Sequence, residues 1–484
     1  MSGVTISSLA PLISIAAALV VLLLVVAFSR GHLTAFLTTL TGLVVTLLIT
    51  IGGFNMEPHR AMHLLLIDGY ANFFTLLFVT SAIVTALFGH SYLQGRRGEL
   101  EEFYILLVIA TLGAIVMAAA THFASFILGL EILSIALYSM VAYPEEEHAP
   151  LEAAMKYLVL SAVASTTILF GMAMIYNATG NMQFVSTTSK VAPQDMLYRQ
   201  VGYVMLFSGL AFKLSLVPFH MWTPDVYQGA PAPVAGYIAT VSKTAVFALL
   251  FRFALTSDSL QIPVVTFLLA AMAVLSMVLG NILALRQANL KRLLAYSSIA
   301  HMGYLIIAVL GIVYLDRSTF PAETALIYLA GYMAMTLTAF GVVSILSSAE
   351  GGDDAESIEA YVGLFWRNPV AATALTIALL SLMGMPLTAG FIGKFYLVNI
   401  SIMSGAWLLL WTLILGSAIS VYYYVKVIYA MTLTRDPSEL YPHPSSTGVG
   451  LAAVSTLGAT VIIIGVIPAP LIGAIRALLE QFGM

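Results

Sequence analysis

The chain has 484 residues, 60% of them hydrophobic and only 9% charged, with a net charge of −4 at pH 7. A soluble domain carries about 25% charged residues, so this balance excludes a water-soluble globular protein. With no basic stripe or charged tail it offers nothing to nucleic acid, and with no cysteine it forms no disulfide and supplies no thiolate to an iron–sulfur cluster. Apolar runs of the length that crosses a bilayer, about 20 residues, recur from end to end. None shows the alternation over about ten positions that a barrel strand needs. The expected fold is an all-α polytopic membrane protein.

Fourteen spans are expected in chain order, at about 8–28, 34–53, 69–93, 103–120, 122–142, 152–176, 198–222, 233–255, 261–285, 291–313, 322–347, 369–400, 406–432 and 449–468, followed by an amphipathic tail over 469–484. The first cation, Arg30, follows the first apolar run, so that run is read as a retained helix rather than a cleavable signal. An even count puts both termini on one side. With the N-terminus outside, inward loops hold Arg30, Arg96, Arg97, Arg286, Lys291, Arg292, Arg367 and Arg435; outward segments hold Arg60, Lys190, Arg199, Arg252, Arg317 and Arg476. The positive-inside rule favours that orientation. The longest polar insert, 347–369, begins acidic and ends apolar, as an exposed loop running into an interfacial segment would.

Two spans are punctured in similar ways. The seventh reads GLAFKLSLVPFHMWTPD and the twelfth SLMGMPLTAGFIGKFYL. Pro218 follows Lys213 and Pro386 precedes Lys394, five spans apart. Five is odd, so the two units have opposite orientation, the pattern of inverted repeats whose broken helices build sites near the midplane. A proline removes a helical hydrogen bond, and the freed carbonyls can hold water beside the charge.

Five ionisable side chains fall inside apolar spans: Glu131, Lys156, Lys213, Lys243 and Lys394. Lys156 lies near a span start and can snorkel, as can Lys426. For the others the structural alternative is an ion pair that pins helices together. The functional alternative is proton transfer: burial weakens an amine's hold on its proton and a neighbouring carboxylate restores it. Glu131 is therefore expected beside Lys213, and Lys213, Lys243 and Lys394 are expected to form a row. His220, after the first break, and His301, mid-span in YSSIAHMGYLI, are possible relays or packed residues. Tyr422, Tyr423 and Tyr424 read as packing or interfacial belt. GFIGKF (390–395) lacks the spacing of a phosphate loop, GVGLAA (448–453) has no preceding strand, and no HExxH metal motif occurs.

KLSLVPFHMWTPDVYQGAPAPV (213–234), ANLKRLLAYSSIAHMGYL (288–305) and GMPLTAGFIGKFYL (384–397) resemble the antiporter-like membrane subunits of respiratory complex I, the proton-pumping NADH:quinone oxidoreductase, over essentially the whole chain. The subunit N branch of the bacterial enzymes is the most similar. The resemblance implies fourteen helices, with three N-terminal helices (1–102), two inverted five-helix repeats (103–255 and 261–432) and a C-terminal helix with its tail (433–484). It implies broken helices 7 and 12 and one proton channel through Glu131, Lys213, Lys243 and Lys394, with Lys156 as the sixth-helix lysine. It also implies a bacterial inner-membrane location with a periplasmic N-terminus, neighbouring membrane-arm subunits as partners, and FMN, iron–sulfur clusters and quinone in partner subunits, none in this chain. Lysine at 394 separates it from the M branch and the short C-terminus from the L branch. Multisubunit cation/proton antiporters share the seventh-helix motif. A cation/proton antiporter subunit and a purely structural scaffold therefore stay open beside the redox-driven pump.

Overall fold

The computed structural model describes residues 7–55, 57–94, 100–143, 148–184, 192–315, 318–347, 354–434 and 448–480. Arg96, Arg97, Lys190, Arg317 and Arg435 of the charge count lie outside them. Among the described residues, twelve helices are long and apolar enough to cross a membrane: α1 Ala10–Phe28, α2 His32–Gly52, α3 Gly69–Leu93, α4 Glu102–Ala119, α5 Phe123–Val141, α6 His148–Thr179, α9 Ala232–Thr256, α10 Pro263–Leu285, α11 Leu290–Tyr314, α12 Phe320–Ser347, α15 Trp407–Thr432 and α16 Gly448–Val466. Two further elements are each made of two helices around a break, α7 Met196–Lys213 with α8 Trp222–Gly229, and α13 Pro369–Met383 with α14 Ala389–Met403. Counted as one unit each, the two broken elements fall where the seventh and twelfth spans are expected. A short hairpin, β1 His59–Ala61 with β2 Leu65–Ile67, and a terminal helix α17 Ala469–Glu480 complete the chain.

Burial sorts the helices. α9, α11 and α12 are almost wholly buried, whereas α1 and α16 turn most of their apolar side chains outward. Exposed Val20, Leu24, Phe28, Trp407, Leu408 and Trp411 are what a lipid-facing rim requires, since hydrocarbon accepts only apolar groups at no cost. The three central helices carry Lys243, His301, Tyr328 and Tyr332.

Polar locks fix helix ends. Asp68 caps α3 by accepting from Ala71 N at 2.8 Å, and both its oxygens accept from Arg252 of α9 at 2.8 Å. Arg252 Nε also donates to Ala118 O, closing the end of α4. Read from sequence as an outward-loop cation, Arg252 is instead fully buried, because this carboxylate and carbonyl meet it. At the other end Asn289 caps α11 by accepting from Arg292 N, and Lys291, buried rather than in a loop, donates to Ala230 O, Asp354 and Glu356. Asp354 and Glu356 of the 347–369 insert are thus folded onto α11, while Trp366 at its apolar end is exposed.

Candidate functional site: a buried line of amines, hydroxyls and one imidazole

The first break begins where Ser215 takes a left-handed φ of 63°. Trp222 Nε1 donates to Phe212 O at 3.0 Å and Thr223 Oγ1 to Ser215 Oγ at 2.6 Å, ties that carry the chain back into helix as α8. Pro218 faces outward at the break. Lys213, the last residue of α7, points inward and donates to Ser134 Oγ of α5 at 2.9 Å and Ser161 Oγ of α6 at 2.5 Å. Glu131 stands one turn before Ser134. It makes no contact with Lys213 of 4.0 Å or less, but it is near enough to act on that amine electrostatically. Its Oε1 is buried and without a hydrogen bond. Tyr138 OH donates to Ser161 at 2.6 Å and packs edge-on against Tyr157, which comes near the hydroxyl of Ser242.

Ser242 closes a five-residue π-turn, Ile238–Ser242, in the middle of α9. Such turns are rare and frequent at functional sites. Lys243 follows it, fully buried, donating to Ser298 Oγ of α11 at 2.9 Å with its ammonium 5.3 Å from the centre of the Tyr227 ring. Ser298 also shares a 2.7 Å hydrogen bond with Tyr332 OH, and Tyr332 donates to Ala239 O inside the π-turn at 3.1 Å.

Ser298, His301 and Tyr304 recur every third residue on α11, so they line one face over about 9 Å. His301 Nδ1 is hydrogen-bonded to Tyr328 OH at 2.6 Å and lies within electrostatic reach of both Lys243 and Lys394. Lys394 of α14 sits over the Tyr304 ring, 5.3 Å from its centre. Its ammonium donates to Leu382 O at 3.0 Å and Met383 O at 2.9 Å, the open carbonyls at the end of α13. The C-terminal end of a helix is a natural seat for a cation. Gly384 makes the approach possible: its φ is +91°, and a methyl there would come within 2.9 Å of Lys394 Cδ. Pro386 lies on the outer side of this second break.

Two groups of predicted residues stand apart from the line. Lys156 is half exposed, paired with Glu152 at 2.8 Å and Asp225 at 3.2 Å. It lines a polar vestibule of about 560 Å³ that also holds Lys291, Asp354, Glu356 and Gln228. His220 is buried with neither ring nitrogen hydrogen-bonded. Sequence reading missed the hydroxyl partners Ser134, Ser161, Tyr328 and Tyr332. It also took the tyrosine triplet for packing: Tyr422 does face outward, but Tyr423 donates to Asn281 at 3.0 Å and Tyr424 hydrogen-bonds Ser297.

Among the described residues, the buried cations fall into two kinds. Arg199, Arg252 and Lys291 are paired with carboxylates. Lys213, Lys243 and Lys394 have no carboxylate within 4.0 Å and are held by serine hydroxyls and backbone carbonyls alone. Lys243 and Lys394, in such seats, can lose a proton without stranding a buried anion.

A family described as NADH:quinone oxidoreductase/Mrp antiporter, transmembrane, matches residues 120–420. A chain of respiratory complex I from Thermus thermophilus with bound aureothin is similar at 33% identity and a TM-score of 0.82, over 96% of this chain and 99% of that one. A chain of the archaeal membrane-bound sulfane sulfur reductase matches at 24% identity and a TM-score of 0.85, over 99% and 97%. A chain of the Mrp complex from Dietzia sp. DQ12-45-1b matches at 15% identity and 0.87, over 98% and 97%. At such identity the last two speak for the fold alone.

Proposed function

The chain belongs to the NADH:quinone oxidoreductase/Mrp antiporter transmembrane family, and on that premise we propose that it is the proton-translocating, subunit N-type membrane component of a proton-pumping NADH:quinone oxidoreductase. In this reading it sits in a bacterial inner membrane with its N-terminus outside, beside other antiporter-like subunits. Flavin, iron–sulfur clusters and quinone belong to the partner subunits, whose redox reaction drives it. The two breaks mark inverted repeats over 103–255 and 261–432, and the 33% identity to a complex I chain over 96% of the length favours this assembly over a cation/proton antiporter.

The observation that carries the reading is the seating of Lys213, Lys243 and Lys394 without carboxylates. A lysine that only pins helices is expected to hold an acid, as Arg252 does. A proton enters at Lys213, whose charge the nearby Glu131 biases. It then passes by way of water and hydroxyls to Lys243, along Ser298 and His301, and to Lys394. His220, beside the first break, is a further candidate for relaying protons to Lys213. Arginine is the informative replacement, since it keeps the charge and does not release its proton in a protein. The Lys243→Arg complex is expected to assemble and retain NADH oxidation at least in part, and to take up protons poorly in sealed vesicles. Normal proton uptake by that variant removes Lys243 from the path.

A further inference from the structure

Beyond Lys394 the line meets one more acid. Glu323 lies in the first turn of α12 and is buried. Two close approaches set the register of α12 against the antiparallel α14: a methyl at Gly331 would meet Ala389 Cβ at 3.1 Å, and one at Gly393 would meet Tyr328 Cδ2 at 2.7 Å. Each step back along α12 is matched by a step forward along α14. Glu323 therefore stands level with residues just past Tyr396, about one turn, or 5 Å, beyond Lys394 toward the end of α14.

The terminal helix reaches this acid. Arg476 of α17 donates from Nε to Glu323 Oε2 at 3.0 Å, and its Nη2 stands 2.9 Å from Oε1. The two partners differ sharply in exposure, 59% for the Arg476 side chain and 6% for that of Glu323. Oε1, although ion-paired, is buried and accepts no aligned hydrogen bond. Tyr396 interacts with both charges and stacks on Phe320 with ring centres 5.5 Å apart. Glu323 thus has a buried amine behind it and a solvent-facing guanidinium in front.

We propose that Glu323 is the last proton acceptor before the outer solvent and that Arg476 is its removable cover. This deepens the reading above and rests on it. An N–H bond of the Lys394 ammonium breaks and the proton passes through water to a Glu323 oxygen, forming O–H and leaving a neutral amine. Glu323, now uncharged, no longer holds Arg476, and an ion pair with an exposed partner is weak in any case. Outer water takes the proton, the O–H bond breaks, and the restored carboxylate draws Arg476 back. The cycle consumes no other reactant.

The test compares Lys394→Arg, Glu323→Asp, Glu323→Gln and the pair Glu323→Gln with Arg476→Gln, each in the assembled complex in sealed vesicles, reading proton uptake against NADH oxidation. Glu323→Gln mimics the protonated acid and leaves only a solvent-facing guanidinium unpaired, and the double variant removes both charges, so both are expected to assemble. The double variant's proton uptake is expected to fall as far as that of Lys394→Arg, with Glu323→Asp restoring it. Normal uptake in the double variant while Lys394→Arg loses it overturns the proposal and leaves the channel reading standing. Normal uptake in Lys394→Arg overturns both. Failure of the double variant to assemble makes the pair a structural clip and overturns the proposal.

Discussion

Lys243 and Arg252 stand nine residues apart on one helix, both fully buried, yet they meet different chemistry. Arg252 has a bidentate carboxylate, so the pair resists separation. Asp68→Asn keeps an oxygen to cap α3 but leaves the guanidinium uncompensated, a loss of about 3–5 kcal/mol. The yield of assembled complex is expected to collapse in that variant and to recover when Arg252→Met is added; detergent extraction and native electrophoresis read it. Ser298 is the reverse case. Ser298→Ala removes the hydroxyl that accepts from Lys243 and its link to Tyr332, at about 1–3 kcal/mol for the unsatisfied groups, so slower proton uptake with normal assembly is expected. The amines were legible in the sequence because a charge within an apolar run is conspicuous. Their partners were not, since a serine or tyrosine in a membrane helix is ordinary until packing shows what it faces. Arg252 and Asp68 were missed for a related reason, both lying close to span ends where a charge reads as exposed.

The two breaks show how far a motif carries. Pro218 and Pro386 pointed to the right places, yet both prolines face outward. The turns rest on left-handed residues, Ser215 in the first, Gly384 and Leu387 in the second. No proline rule locates those. Gly384→Ala places a side chain at φ +91° and against Lys394, costing about 1–3 kcal/mol in backbone strain and pushing the amine off the Leu382 and Met383 carbonyls. Proton uptake is expected to drop with assembly preserved; an unchanged rate of uptake per NADH shows that this seat is not needed. The single span expected at 369–400 is two helices, 15 residues each, because the chain turns between them. The π-turn left no mark in the sequence, since its residues IATVS, with a serine and a threonine among apolar side chains, are ordinary in a membrane helix.

For the molecule as a whole, hydropathy alone pointed to a many-pass helical membrane fold, because each crossing must bury or grease about 20 residues. It could not rank them, and only packing shows α9, α11 and α12 at the centre and α1 and α16 at the rim. The assembly-level prediction follows from the proposed partners. Purification through a tag on this chain is expected to bring flavin and iron–sulfur subunits with it, and NADH-driven proton uptake is expected to persist when sodium is removed. Sodium-dependent proton flux without NADH favours a cation/proton antiporter instead. α9 is keyed to its neighbours on both sides of the π-turn, by Tyr237 to Thr111 at 2.9 Å before it and by Arg252 to Asp68 after it. The turn accommodates one residue more than an α-helix would, and so offsets the two halves by about 100°. A single inserted codon is enough to create such an offset, and a single lost one to erase it. Deleting Thr240 with Tyr237 still held on Thr111 would swing Lys243 and Arg252 together off Ser298 and Asp68, so the loss of one residue here re-aims an amine without any change in the amine itself.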